Sequence, residues 1–285
     1  QRNHQAELVL SKENKKAKID GKDVLKISEY VGYLNVVVFV PDDLSLVKGS
    51  PSTRRKFIDL ELSKISPIYA FYLAKYNRLL KERNQYLKLL SKKNGKYDDY
   101  LETIDEQMVD VQLKVIEKRE NFIERLSKNV KDVYKSIADN EEYVDLHYLC
   151  FIKKKDKEEL LKLYKKEFSR DLKYLSTTHG IHKEDMKIMI DRKSAHQYAS
   201  QGQQRTIVLS IKIALLELIK EEIGEYPILL LDDVLSELDD QRKTKLLDIL
   251  NNRIQTFITT TSIDGIEHHV IKEAKKININ RKEKQ

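Results

Sequence analysis

The spacing of apolar residues changes character twice along the chain. The first stretch reads as short strands and turns. Ala6 to Leu10 and Ala17 to Ile19 flank a polar turn, and Asp20-Gly21 marks the next one. Leu34 to Val40 is a short apolar run rich in β-branched valine, as a buried strand requires, and Pro41-Asp42-Asp43 ends it. The period then becomes helical. Ser50-Pro51 and Ser66-Pro67 each pair an N-cap residue with proline at the first helical position. One long helix is predicted from Ser66 to Leu90, a turn at Asn94-Gly95, and a longer helix from Tyr97 to Ile137. In the second helix Leu101, Ile104, Met108, Val111, Val115, Phe122 and Leu126 keep heptad-like steps of three and four. Two such helices joined by a short turn make an antiparallel arm. A third, lysine-rich helix is predicted from Asp156 to Leu175.

After Thr178 the texture reverts. Strands are predicted at Met186 to Ile190, Ile228 to Leu231, Thr256 to Thr260 and, last, Lys276 to Ile279. An amphipathic helix is predicted from Arg205 to Ile223 and another helix from Asp239 to Leu250. The predicted class is α/β: a head formed by residues 1–50 and 179–285, interrupted by a helical arm over 51–178.

Composition narrows the partners. Charged residues reach 35%, above the roughly 25% usual for soluble domains, which suits long solvated helices. The net charge of +7 favours an acidic partner, and nucleic acid is the commonest. Clusters at Arg54-Arg55-Lys56, Lys92-Lys93, Lys153-Lys154-Lys155 and Lys165-Lys166 are the candidate phosphate contacts. The single cysteine, Cys150, excludes an internal disulfide and, between Leu149 and Phe151-Ile152, reads as core. No apolar run is long enough for a membrane span and the first residues are polar, so no membrane partner and a cytoplasmic location are expected.

Two motifs carry chemistry. Ile228-Leu-Leu-Leu-Asp232-Asp233 is a buried strand with two carboxylates at its C-terminal end, where ligands of open α/β sheets bind. In nucleotide hydrolases this is the Walker B arrangement. Asp232 helps hold Mg²⁺, and Asp233 orients and polarises the attacking water. Adjacent side chains leave a strand on opposite faces, so Asp233 serves best where the strand has begun to turn. The second motif, Ser200-Gln201-Gly202-Gln203-Gln204-Arg205-Thr206, is a small polar turn opening a helix, whose free amides and dipole can receive an anion.

With Val234-Leu235-Ser236-Glu237-Leu238-Asp239 following Asp233, the second half resembles ABC-type ATPases, with Walker B, a D-loop ending at Asp239, and a signature at Ser200 to Gln203. More narrowly, Ser200 to Thr206, Tyr226 to Asp239 and Gln255 to Thr261 resemble the RecF family, as do Tyr33 to Phe39, Pro41 to Leu44 and Gly49 to Asp59. The resemblance implies an ATPase head with a helical arm and an ATP-dependent homodimer. Ser200 and Gly202 of one subunit would face the γ-phosphate of ATP on the other, with Gln201, Gln203 and Asp239 beside it and Thr260 sensing that phosphate. It further implies binding to single-stranded or duplex DNA in recombinational repair and replication, together with RecO and RecR.

The departures are specific. No G-x-x-x-x-G-K-[ST] motif occurs in the chain, so the phosphate-cradling amides, lysine and hydroxyl are not supplied by it. The family carries that loop upstream of the segment matching Gln1, and an N-terminally truncated ATPase, inactive alone, is the expectation. His179 to Asp185 matches a family stretch with several substitutions and reads as a turn before a strand rather than a metal site. The alternatives are another ABC head of the Rad50 or SMC kind, disfavoured by the short arm, and a non-catalytic DNA- or partner-binding scaffold.

Overall fold

The computed structural model describes residues 5–11, 15–24, 33–93, 95–138, 141–250, 253–261 and 269–279. In chain order the main elements are strands β1 (Ala6–Leu10), β2 (Lys15–Ile19), β3 (Lys22–Asp23) and β4 (Val36–Phe39), then helices α1 (Pro51–Ile65), α2 (Pro67–Lys92) and α3 (Asp99–Ala138). Strand β5 (Val144–Leu149) and helix α4 (Lys157–Tyr174) follow, then β6 (Asp185–Ile190), β7 (Lys193–Ser194), α5 (Gln201–Ile223), β8 (Ile228–Asp232), α6 (Asp240–Leu250) and β9 (Thr256–Thr259).

Among the described residues the strands form three sheets. β1, β2 and β3 make an antiparallel meander, with Ala6 opposite Ile19. β4, β8 and β9 make a parallel sheet with β8 in the middle, Val36 opposite Ile228 and Leu229 opposite Thr256. A strand paired on both edges is fully backbone-satisfied, so β8 can be purely aliphatic, and Leu229 and Leu231 are buried. β5, β6 and β7 make the third sheet, antiparallel, with Val144 opposite Ile190.

Helix α5 sits at the centre, packed against α3 and against β4. The expected amphipathic helix from Arg205 to Ile223 differs here. The helix begins at Gln201, and its residues from Thr206 to Leu216 are buried on every side, Ser210 and Lys212 included. A helix apolar all round belongs inside a core. Its polar groups are satisfied locally: Ser210 Oγ donates to the Thr206 carbonyl at 2.8 Å, and Lys212 Nζ to the Val38 carbonyl at 2.8 Å while pairing with Asp43.

The arm helices α2 and α3 pack against each other, and Ser66 caps α2 by accepting from the Tyr69 amide. The heptad positions Leu101, Ile104, Met108, Val111, Val115, Phe122 and Leu126 are all buried. So are Asp105, Gln112 and Arg119 on the same helix. Buried charge is tolerated only when paired. Arg83 of α2 donates to Asp105 at 2.5 Å and to Asp171 of α4 at 2.6 Å, which clamps three helices together. Arg119 donates to Asp59 of α1 at 2.7 Å, to Tyr69 at 3.0 Å and to the Ile181 carbonyl at 2.8 Å, and pairs with Glu184.

Two expectations on secondary structure are corrected. Val144–Leu149 is a strand, although the sequence reading placed no strand between 51 and 178, and its partner β6 lies beyond that segment. Its alternation is real, with Val144 and Leu146 buried and His147 exposed, but the pairing partner is supplied from far along the chain. Lys276 to Ile279 is not a strand; Ile277 and Ile279 are exposed and pair with nothing in a sheet. In the turn expected at Asn94-Gly95, Asn94 lies outside the described residues.

Candidate nucleotide site

The site grows from the C-terminal end of β8. Asp232 is its last residue and is exposed, and Asp233 steps into a left-handed conformation at φ +53°. Aspartate tolerates that region better than most side chains. The turn breaks the strand's alternation between the two carboxylates. Thr259, at the end of β9, braces both residues. Its hydroxyl donates to Asp232 Oδ1 at 2.5 Å and accepts from the Asp233 amide at 3.2 Å. The same amide also donates to the Thr259 carbonyl at 3.2 Å, and Ser236 Oγ donates back to the Asp233 carbonyl at 2.8 Å. Asp233 Oδ1 is buried and has no hydrogen-bond partner among the described residues. A buried acceptor of this kind wants a donor or a cation. Carboxylate oxygens are the hard ligands Mg²⁺ takes, so this pair fits a metal–nucleotide group.

The second half of the site is the start of α5. Ser200 is the N-cap, and a capping box is complete: Ser200 Oγ accepts from the Gln203 amide at 3.2 Å, and Gln203 Oε1 accepts from the Ser200 amide at 2.7 Å. The serine hydroxyl hydrogen is not used by the box and stays available to an acceptor. Ser200 and Gln201 are exposed, and Gly202 and Gln203 are half-buried.

Three residues that sequence reasoning missed surround the start of α5. Gln203 Nε2 donates to Glu142 Oε1 at 2.7 Å, and Tyr134 of α3 donates to Glu142 Oε2 at 3.0 Å. Burial and Glu142 together push the Tyr134 phenol well above its ordinary range, so it stays a donor. Arg242 of α6 is the third. A Cβ on Gly202 would lie 3.6 Å from Arg242 Nη1, and the same nitrogen lies 3.4 Å from Asp239. Asp239 caps α6 by accepting from the Arg242 amide at 2.9 Å. No local pattern marks Glu142, whose partner Gln203 lies far off in the chain, or Tyr134, which joins the site only through Glu142. Arg242 follows the D-loop directly and was readable only as a helix residue.

The other predicted positions fall as follows. Thr260 is half-buried just past β9, whereas the hydroxyl against Asp232 belongs to Thr259. Arg54 is buried in a bidentate pair with Asp185, at 2.7 and 2.9 Å, and donates to the Gly49 carbonyl at 2.8 Å. Arg55 donates to the Glu184 carbonyl at 2.6 Å, and Lys56 is exposed. Of that cluster, the Arg54 guanidinium is committed to the protein interior rather than offered to a phosphate. His182 donates from Nε2 to the Thr177 carbonyl at 3.0 Å and so accepts at Nδ1 from the Tyr76 hydroxyl at 2.7 Å. Burial pushes its pKa down to about 4. Among the described residues no three or more histidine, cysteine and acid side chains gather into one metal-binding group. Burial pushes the Cys150 thiol up to about 12, which fits a core cysteine. No described helix is long and apolar enough to cross a membrane.

No family model matches the chain. Curated relatives do. The DNA replication and repair protein RecF of Staphylococcus carnosus is 44% identical over 283 residues, which are 97% of this chain and 76% of that protein. The chain belongs to the RecF family. RecF of a Geobacillus species is likewise 44% identical over 275 residues, 94% of this chain and 74% of the relative. A solved structure of the recombination mediator protein RecF with ATP, from the RecFOR pathway, superposes with a TM-score of 0.83 at 36% identity, covering 92% of this chain and 71% of that one. The head-and-arm architecture of this chain is therefore that of RecF.

Proposed function

We propose that this RecF-family chain is part of an ATP-dependent DNA-binding protein of recombinational repair and replication, in which ATP closes two copies into a dimer. The observation that carries the reading is the Thr259-braced pair Asp232–Asp233 at the end of the central parallel strand. Mg²⁺, held by Asp232, would supply charge neutralisation for the nucleotide phosphates. Asp233, on its left-handed turn, would accept a hydrogen bond from the attacking water and draw off its proton as the water oxygen bonds to the γ-phosphorus and that phosphorus parts from the oxygen it shares with the β-phosphate, which leaves on ADP. Ser200 offers its hydroxyl, and the free amides at the start of α5 add the positive end of the helix dipole, toward a γ-phosphate bound by the second copy. Gln201, Gly202, Gln203 and Asp239 would shape that face, and Thr260, just past β9, would sense the γ-phosphate.

The similarity to a RecF solved with ATP supports nucleotide binding, and its RecFOR setting supports work with RecO and RecR. DNA contact falls to exposed lysines. Arg54 is internally paired, so Lys92, Lys93, Lys153 and Lys154, all exposed, take the place of the cluster around it. The deciding experiment is sedimentation of a phosphate-loop-bearing RecF chain with this sequence, with and without ATP and Mg²⁺, beside Ser200→Arg. Dimerisation that needs ATP and is lost in the variant supports the reading. An ATP-independent or variant-insensitive dimer removes the signature assignment.

A further inference from the structure

Between α1 and α2 lies a groove of about 480 Å³ that none of the nucleotide chemistry uses. That volume is in the range of pockets that take a ligand or a few side chains, ~300–1,000 Å³. One wall is a helical stripe of α1, Arg55 and Lys56 followed one turn later by Asp59 and Leu60; Leu73 and Asn77 of α2 form the other. Ile181 and His182 close it between them.

The wall is cationic and apolar at once. Asp59 is the acid in the lining, and its Oδ1 accepts from Arg119 at 2.7 Å and from Tyr69 at 2.5 Å, so the buried Arg119 guanidinium offsets its charge. Arg55, half-buried, spends Nη1 on the Glu184 carbonyl, and no hydrogen bond to a described residue engages its other two nitrogens. Lys56 is exposed, and so is Lys183 beside His182. Burial holds the His182 pKa down, and the charges of Lys183 and Arg55 lower it further against that of Asp171. Between the cations stands Leu60, 54% exposed on an otherwise charged helix face.

Those features choose between two acidic partners. A nucleic-acid backbone is held by a row of cations matched to successive phosphates, with little use for an aliphatic wall. A peptide that presents carboxylates and one apolar side chain uses both, with the apolar residue as anchor and the ion pairs at the rim. We propose that this groove docks an acidic peptide segment of a partner protein, its carboxylates on Arg55 and Lys56 and an apolar side chain between Leu60 and Leu73. The proposal does not depend on the nucleotide reading.

The test selects a random-peptide phage library on the folded chain and measures the winning peptide in solution by fluorescence anisotropy. Enriched peptides should carry at least two Asp or Glu around a Leu, Ile or Phe. Lys56→Glu and Leu60→Asp should each weaken binding about tenfold, equivalent to ~1.4 kcal/mol. Lys154→Glu, on a different exposed cluster, should leave it unchanged. Both test positions are exposed, so far-ultraviolet circular dichroism should match the parent in each variant. Peptides without acidic bias, no enrichment at all, or affinity indifferent to both substitutions would overturn the proposal. So would a result in which the two variants weaken a short DNA duplex and leave peptide binding intact, since the groove would then be a nucleic-acid contact.

Discussion

Gln203 Nε2 donates to Glu142 Oε1 at 2.7 Å, and through that bond the capped start of α5 is tied to the segment between α3 and β5. Glu142 accepts Tyr134 on its other oxygen, so one carboxylate joins α3 to the Ser200 turn. Glu142→Ala should remove both acceptors and free the Gln203 side chain, weakening the capping box. We expect a loss of about 1–2 kcal/mol in urea unfolding and a higher ATP concentration for half-maximal dimerisation. Glu142→Gln keeps a carbonyl oxygen and should recover most of both. If the alanine variant dimerises as the parent does, the link is structural and does not bear on the signature turn.

Asp233→Asn retains size and polarity but cannot take a proton from water. In a phosphate-loop-bearing RecF chain of this sequence, steady-state hydrolysis should fall on the order of a hundredfold or more while ATP-dependent dimers persist. Asparagine also tolerates the left-handed conformation at φ +53°, so folding should be unaffected. Turnover near that of the parent would show that another group orients the water.

Much of this site was legible because it is local in sequence. Four aliphatic residues and two acids announce β8, and the polar, glycine-containing run from Ser200 to Thr206 announces the start of a helix. The strand turn at Asp233 follows from the need to redirect the second carboxylate, and the structure places it there. What escaped depends on distant partners. Arg54 sits in a basic cluster that suggests solvent and phosphate, yet Asp185, brought beside it by β6, draws it inside. Val144–Leu149 alternates like a strand but lies in lysine-rich sequence between helices, and only β6 makes it one. The all-round burial of α5 comes from packing between α3 and the parallel sheet, which a helical period alone cannot report.

His182 gives a pH dependence with a definite sign. Its pKa lies near 4 in the fold against an ordinary 6.5, because burial disfavours the charged ring and the Lys183 and Arg55 charges push the same way, together outweighing the bond to the Thr177 carbonyl and the charge of Asp171. The unfolded chain therefore binds more protons between those values, and stability drops as pH falls. This contribution is complete above about 6.5 and is lost progressively toward pH 4. Denaturation midpoints at neutral pH and near pH 5 should differ more for the parent than for His182→Asn. Equal differences would place the acid sensitivity elsewhere.

Arg54→Ala should act on folding rather than on DNA. It leaves Asp185 without its bidentate partner and the Gly49 carbonyl without a donor, at a cost of about 2–3 kcal/mol. Lys153→Glu with Lys154→Glu should do the opposite: unchanged stability, weaker duplex binding, and a shallower dependence of affinity on salt. Binding isotherms over a salt series beside urea melts separate the two. An Arg54→Ala protein that folds normally but has lost DNA affinity would restore that arginine to the DNA surface.

Residues 1 to 285 on their own should neither bind ATP tightly nor hydrolyse it at a measurable rate. On the proposed reading Asp232 and Asp233 would provide metal-binding and water-orienting oxygens, and two carboxylates do nothing to offset the negative charge of a triphosphate. Neutralising that charge is the work of a lysine and a ring of backbone amides, and no G-x-x-x-x-G-K-[ST] segment exists in this sequence to supply them. The start of α5 cannot substitute, since on the dimer reading its free amides face a phosphate held by the second copy. Nucleotide titration and steady-state ATPase assays on these residues, beside a longer RecF chain that carries the loop, measure the difference. Tight binding with turnover by residues 1 to 285 would mean that another segment cradles the phosphates, and the assignment of Asp232 and Asp233 to a Walker B site would have to be redrawn around it.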